Sequence, residues 1–315
     1  MDVVALGELL IDFTPVSVDA SAYPTLAAKL GGAPCNFLAA LQVGGCSTAL
    51  IAKVGADRLG NLLKNTAAML GIETRSILSD PEVFTTLAFV SLDETGNRTF
   101  DFARKPGADI CLREDEIDFS LIDEAKVFHF GSVSLTHEPS RSATQKAVSY
   151  AKNKACLISF DPNLRRDLWP NETLAKEQIL WALTQADIVK ISDEEIDFLF
   201  GCSPEDGAEL LLRNYGVQLI YVTLGPKGCF FATKHAKGSV PCPSGIKVID
   251  TTGAGDIFGG TAMAQLLKLG KDISDLTETD LQNITRYACC AASLSTQVYG
   301  GMGSIPQEEA VRAIL

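Results

Sequence analysis

The residues whose types and spacing best suit chemistry lie in one run, Asp250-Thr251-Thr252-Gly253-Ala254-Gly255-Asp256. Gly253 and Gly255 let the backbone turn tightly with its amides pointing outward, where a Cβ would obstruct a bulky anion. Phe258, Ala262, Leu266 and Leu269 then share one helical face and Gly270 supplies the stop, which predicts a helix N-terminus just behind the turn. Its unpaired N–H groups and positive dipole end face one point, and Asp256 adds a carboxylate there. That pairing suits phosphoryl transfer: the amides of Gly253, Ala254 and Gly255 stabilise charge growing on phosphate oxygens while Asp256 takes the proton of an attacking hydroxyl. The plainer reading is a strand-to-helix turn with Asp256 as a cap. Ile246-Lys247-Val248-Ile249 reads as the short strand leading in.

The elements that must hold such a site are legible along the chain. With 315 residues, 46% of them hydrophobic, it can bury a large core. It carries 27 basic and 39 acidic residues, a net charge of −12, which disfavours nucleic acid and anionic membranes as partners. No basic stretch precedes an apolar one at the start, and no apolar run reaches spanning length, so a soluble cytoplasmic protein is expected. Nine scattered cysteines without a Cys-x-x-Cys pair read as reduced thiols, not a disulfide or zinc framework.

Val3 to Leu6 and Ala49 to Val54 read as buried strands. Gly31-Gly32-Ala33-Pro34-Cys35-Asn36 opens a helix running to Gly44, with Pro34 in its first turn. Gly55 to Gly60 leads into a second helix, with Leu59, Leu62, Leu63, Ala67 and Leu70 on one side and Gly71 as its stop. Phe84 to Leu92, a turn at Asp93-Glu94-Thr95-Gly96-Asn97 and Arg98 to Ala103 form a hairpin that interrupts the βα pattern, as an accessory lid does. From Lys126 onward strands and helices alternate, which calls for a mostly parallel sheet with ligands at the carboxyl ends of its strands. Asp161-Pro162-Asn163-Leu164-Arg165 and Lys190-Ile191-Ser192-Asp193-Glu194-Glu195 fall at such ends; acidic residues there also suit a helix's first turn. Neither a Gly-x-x-x-x-Gly-Lys-[Ser/Thr] loop nor a complete dinucleotide fingerprint occurs, since Phe258 stands at the third glycine position.

The Asp-Thr-Thr-Gly-Ala-Gly-Asp run resembles the C-terminal signature of the ribokinase-like (PfkB) carbohydrate kinases. Gly-Glu-Leu-Leu-Ile-Asp at 7–12, Gly-Gly-Ala-Pro-Cys-Asn at 31–36 and Arg-Lys-Pro-Gly-Ala-Asp at 104–109 resemble its fructokinases. The resemblance spans nearly the whole chain, as one ribokinase-like α/β domain whose lid is formed by segments of roughly 10–30 and 84–104. It implies ATP and Mg2+ as cofactors and a sugar, D-fructose first among candidates, bound by Asp12, Gly31, Gly32, Asn36, Arg104 and Arg165. It implies ATP contacts at Lys190, Thr223, Gly225, Gly228, Gly253, Gly255 and Asn283, the last beside the adenine. Glu195 would order water around magnesium, although Ser192 replaces the asparagine many relatives carry. A monovalent cation such as K+ would be held by carbonyls at Asp250, Thr252, Ser295, Val298, Gly300 and Ser304. The uncovered lid edge points to a homodimer through paired lids. Two alternatives stay open: a 2-keto-3-deoxygluconate kinase, whose substrate carboxylate Arg104 and Arg165 could clamp, and a non-catalytic sugar sensor on the same fold.

Overall fold

β1 (Val3–Leu6) has no polar residue and is fully buried, as the centre of a parallel sheet covered on both faces must be. Val3 and Ala5 join one core cluster, Val4 and Leu6 the other. In this computed structural model, which describes residues 1–18, 23–92 and 98–315, the chain continues through β2 (Leu10–Val18), β3 (Pro24–Gly31), α1 (Ala33–Val43), β4 (Thr48–Gly55), α2 (Arg58–Met69) and β5 (Ile77–Asp80). There follow β6 (Leu87–Leu92), β7 (Arg98–Ala103), α3 (Phe119–Asp123), β8 (Val127–Gly131), α4 (Ser140–Asn153), β9 (Leu157–Asp161), α5 (Glu172–Gln185) and β10 (Ile188–Ser192). The last elements are α6 (Asp193–Phe200), α7 (Pro204–Leu210), β11 (Leu219–Thr223), β12 (Cys229–Thr233), β13 (Lys237–Val240), α8 (Ala254–Leu269), α9 (Glu278–Ser295) and α10 (Glu308–Arg312).

Among the described residues the large sheet runs β13-β12-β11-β10-β9-β8-β1-β4-β5. Pairing is parallel from β5 through β11, and β12 and β13 close the edge antiparallel. Leu38 of α1, Leu63 of α2, Met263 of α8 and Leu281 of α9 pack on one face; Ala147 of α4, Ile179 of α5 and Ile196 of α6 pack on the other. This is the mostly parallel α/β sheet, covered by helices on both faces, that the alternation of strands and helices calls for. The parallel strands end along one edge, so Asp161, Ser192 and Thr223 come together there with the N-termini of α1 and α8.

A second, smaller sheet of order β3-β2-β6-β7 stands apart from the first. β2 pairs antiparallel with β3 and parallel with β6, and β6 pairs antiparallel with β7, giving the expected hairpin. Phe13 and Phe89 stack across it at 5.3 Å. The expected turn at 93–97 lies outside the described residues.

Two local expectations are corrected. Ile246 to Ile249 is not a strand: the amides of Ile249 and Asp250 both donate to Thr296 O, at 2.7 and 3.0 Å, rather than to a neighbouring strand. With its donors taken by the end of α9, the apolar run has no ladder to join, and Ile246 and Val248 line a cleft instead. On α2, Leu63 and Ala67 are buried but Leu62 points outward, 48% exposed.

Candidate active site

Gly253 sits at φ +78°, a left-handed conformation that favours glycine, and starts α8. Ala254 N–H closes the turn onto Thr251 O at 3.2 Å, so this amide is spent, contrary to the sequence expectation. The N–H groups of Gly253, Gly255 and Asp256 find no acceptor among the described residues and form the free helix N-terminus. A Cβ on Gly255 would come 2.9 Å from Lys190 Nζ, so an ammonium lies directly behind the turn.

Asp256 is buried and its Oδ2 accepts from Asn36 Nδ2 at 2.8 Å. Burial pushes its carboxyl up from the ordinary value; Lys190, the Asn36 hydrogen bond and Arg165 pull it back. The result is a carboxylate more basic than an exposed one, suited to accept a proton. Lys190, in the middle of β10, pairs with Asp161 Oδ2 at 2.9 Å. Burial opposes its charge, but Asp161, Glu195 and Asp256 outweigh burial and raise its pKa.

A cleft of about 950 Å³ opens over this turn. Of the residues expected to meet nucleotide, Lys190, Thr223, Gly225, Gly228 and Gly255 line it, as do Arg165 and Glu195. Gly225 and Gly228, at φ +56° and +107°, shape the turn from β11 to β12. Asn283 is not part of this wall: it is exposed on α9, whose cleft-facing positions are Cys289, Ala292 and Ser293. The helical pattern alone does not say which turn of α9 meets the cleft. Ile246, Val248, Cys242 and Cys289 also line it, and sequence reasoning did not single them out. The apolar run at 246–249 was the available signal, read as a strand.

On the other side of Asp256 the small sheet meets α1. A Cβ on Gly31 would collide with the Asp12 carboxylate, and one on Gly32 with Glu8 O, so both glycines allow these groups to close in. Gly32 has φ +116° and leads directly into α1 and Asn36. Arg104 is neither a solvated charge nor an open fork. It is buried beside Asp109, to which Nε donates at 2.8 Å, while Nη1 donates to Thr136 Oγ1 at 3.0 Å and Nη2 to Val133 O at 3.1 Å.

Glu195 completes a capping box at the start of α6. Its Oε2 accepts from Ser192 N at 2.8 Å and its Oε1 from Leu164 N at 2.7 Å. Asp250 joins two loops: Oδ1 accepts from Thr252 N at 2.7 Å and Oδ2 from Gly300 N at 3.1 Å. Ser304 is buried and Ser295 hydrogen-bonds Ala292 O, while Val298 is half-exposed.

A parallel α/β sheet that gathers a free helix N-terminus, a basic carboxylate and a lysine over one cleft has the layout of a phosphoryl-transfer enzyme. Residues 1–308 match the pfkB family carbohydrate kinase model, and the chain belongs to that family. It is therefore a sugar phosphotransferase. The chain is 39% identical to probable fructokinase-4 of Arabidopsis thaliana, over 99% of this chain and 96% of that protein. It is 38% identical to fructokinase-2 of Solanum lycopersicum, over 96% and 93%. Fructokinase from Xylella fastidiosa with bound ATP superposes with a TM-score of 0.91 at 27% identity, over 99% and 97% of the two chains. Fructokinase from Vibrio cholerae O395 in its fructose, ADP and calcium ion bound form gives 0.88 at 32%, over 100% and 99%.

Proposed function

We propose that the chain transfers the γ-phosphoryl group of ATP to the primary hydroxyl of D-fructose, giving fructose 6-phosphate. The observation that carries this reading is Asp256, raised in basicity, held by Asn36 and set beside the unpaired amides of Gly253 and Gly255. The fructokinase relatives support the choice of sugar.

In this reading the sugar lies between Asp12, Gly31, Gly32 and Asn36, with Arg165 reaching across from the cleft. Asp256 removes the hydroxyl proton as the oxygen attacks, and the amides at 253 and 255 and Lys190 meet the charge on the transferring group. ATP occupies the cleft bounded by Thr223, Gly225 and Gly228. The small sheet acts as a lid that excludes water, which would otherwise compete as acceptor.

The family implies magnesium, and Glu195 fits a water-mediated role: each of its oxygens already accepts a backbone amide, leaving lone pairs suited to a metal-bound water. When bound, magnesium would supply positive charge that offsets the negative charge of the phosphates. The loops joined by Asp250 offer neutral backbone oxygens, a donor type that suits a monovalent cation such as potassium. The exposed Val16 and Leu26 of the small sheet support pairing of two lids in a homodimer, and nine free cysteines support a reducing cytoplasmic setting.

A keto-acid substrate would need Arg104 as a carboxylate clamp, but its donors are directed to Asp109, Thr136 and Val133. The test is a coupled ADP-release assay with ATP and magnesium against fructose, 2-keto-3-deoxygluconate, ribose, tagatose and no sugar. Turnover mainly with fructose is expected. Preference for the keto acid changes the substrate, and silence from a folded preparation sinks the catalytic reading in favour of a sugar sensor.

A further inference from the structure

The wall of the cleft holds two thiols that phosphoryl transfer does not use. Cys242 lies partly exposed just past β13, and Cys289 is buried on α9; both line the cleft. Cys289 Sγ lies 4.0 Å from Val240 O, two residues before Cys242, so α9 and this segment are in contact at that point. The two thiols lie close enough to act on each other's titration. Cys242 Sγ also lies 3.6 Å from Gly225 O, on the turn that closes the same cleft.

The electrostatics give the two sulfurs different roles. Cys289, helped by Ser293 and opposed by burial, brings the Cys242 thiol down to about 6. Cys242 in turn, together with burial, pushes Cys289 far up. The lowered thiol of Cys242 is the more reactive of the two and the raised thiol of Cys289 keeps its proton more firmly, the arrangement of an attacking and a resolving cysteine.

We propose that Cys242 and Cys289 are an oxidation site, joined reversibly into a disulfide by a small peroxide such as hydrogen peroxide, and that the bond restricts the cleft. That the restricted ligand is ATP rests on the function proposed above. In the first step an electron pair of the Cys242 thiolate attacks one peroxide oxygen. The O–O bond breaks and hydroxide leaves, taking a proton to become water. In the second, Cys289 Sγ attacks the sulfur of the resulting Cys242 sulfenic acid; its proton and the departing hydroxide form a second water. The two sulfurs together lose two electrons and the peroxide oxygens gain them. Two thiols from a dithiol reductant reverse the bond by exchange.

Residues 241–248 belong to no helix or strand, so drawing the sulfurs to a bond length of about 2.05 Å moves this segment toward α9. Pro243, Ile246 and Val248 travel with it, and all three line the cleft. Cys229 is a competing thiol, but it is buried, raised well above the ordinary value and donates to Phe230 O at 3.3 Å.

The test treats the full chain with hydrogen peroxide, blocks remaining thiols and maps linked peptides by mass spectrometry. Affinity for a fluorescent ATP analogue is followed in parallel. A Cys242–Cys289 link is expected, with affinity weakened by about tenfold or more, restoration by dithiothreitol, and slower linkage when ATP is bound. Cys242→Ser and Cys289→Ser, each compared with its own untreated sample, should lose the peroxide response. Absence of the link, a link to Cys229 instead, unchanged affinity in the linked protein, or a response that persists in Cys242→Ser overturns the proposal. None of these readouts needs sugar turnover: a reduced protein that binds no ATP analogue overturns the functional reading, while the peptide map still decides whether the site oxidises.

Discussion

Asn36 donates its side-chain amide to Asp256 Oδ2 across 2.8 Å, joining residues 220 positions apart in the chain. The contact ties the first turn of α1 to the first turn of α8. It also helps hold Asp256 ionised against the burial that raises its pKa.

Asn36→Ala therefore moves the pH profile in a definite direction. Asp256 works deprotonated, and activity falls as pH drops through its pKa. Removing a hydrogen bond to a charged group, worth about 1.5–3 kcal/mol, raises that pKa, so the acid limb of kcat should shift upward by about one pH unit or more. A limb that stays in place would show that Asn36 does not tune this carboxylate.

Asp256→Asn keeps size and removes the base. A fall in kcat of roughly a hundredfold or more is expected, with ATP affinity little changed. Turnover within about threefold of the parent would assign the proton to another acceptor.

Arg104 and Asp109 make a buried pair, and removing one partner strands the other. Arg104→Met should lower stability by about 3–5 kcal/mol, read as a shift of the urea midpoint. An unchanged midpoint with a large rise in the sugar KM would make Arg104 a substrate ligand instead of a brace.

Glu8 links stability to pH. Its Oε1 accepts from Ala33 N at 2.9 Å while the buried Oε2 has no partner among the described residues. Burial raises its carboxyl from 4.5 to about 7. The folded state then binds the proton more tightly than the unfolded state, so stability present below about 4.5 is lost as pH rises through about 7. The difference amounts to about 3 kcal/mol. Glu8→Gln should flatten this slope: its stability relative to the parent should improve between pH 5 and pH 8 in urea titrations, and parallel curves would disprove the assignment.

The parts most legible in the sequence are those where backbone geometry is written in residue type. Gly253 and Gly255 gave the turn and the helix start, Pro34 the start of α1, and the apolar run at Val3 to Leu6 a doubly covered strand. Asp161, Lys190 and Thr223 could be placed because parallel strands end on one edge. What failed had no local signature. Ile246 to Ile249 has the composition of a strand, and only its hydrogen bonds to Thr296 reveal a cleft wall. Asn283 lies on the right helix but away from the cleft, and Arg104 shows its partners only once Asp109, Thr136 and Val133 are folded around it. The meeting of Cys242 with Cys289 depends on how the end of β13 lies against α9, which no spacing encodes.

The small sheet enters the chain early. Asp12 and Gly31 belong to its strands and Asn36 follows directly, whereas the cleft over Gly255 is built from residues beyond 160. The two halves meet at Asp256. In the proposed reading, every sugar contact except Arg165 then comes from the first hundred or so residues, so exchanging them between relatives can change which hydroxyl is presented while leaving the base and its anion pocket intact. A chimera cut between β7 and β8 exchanges the small sheet and α1 together while keeping the lining of the cleft over Gly255 in one piece.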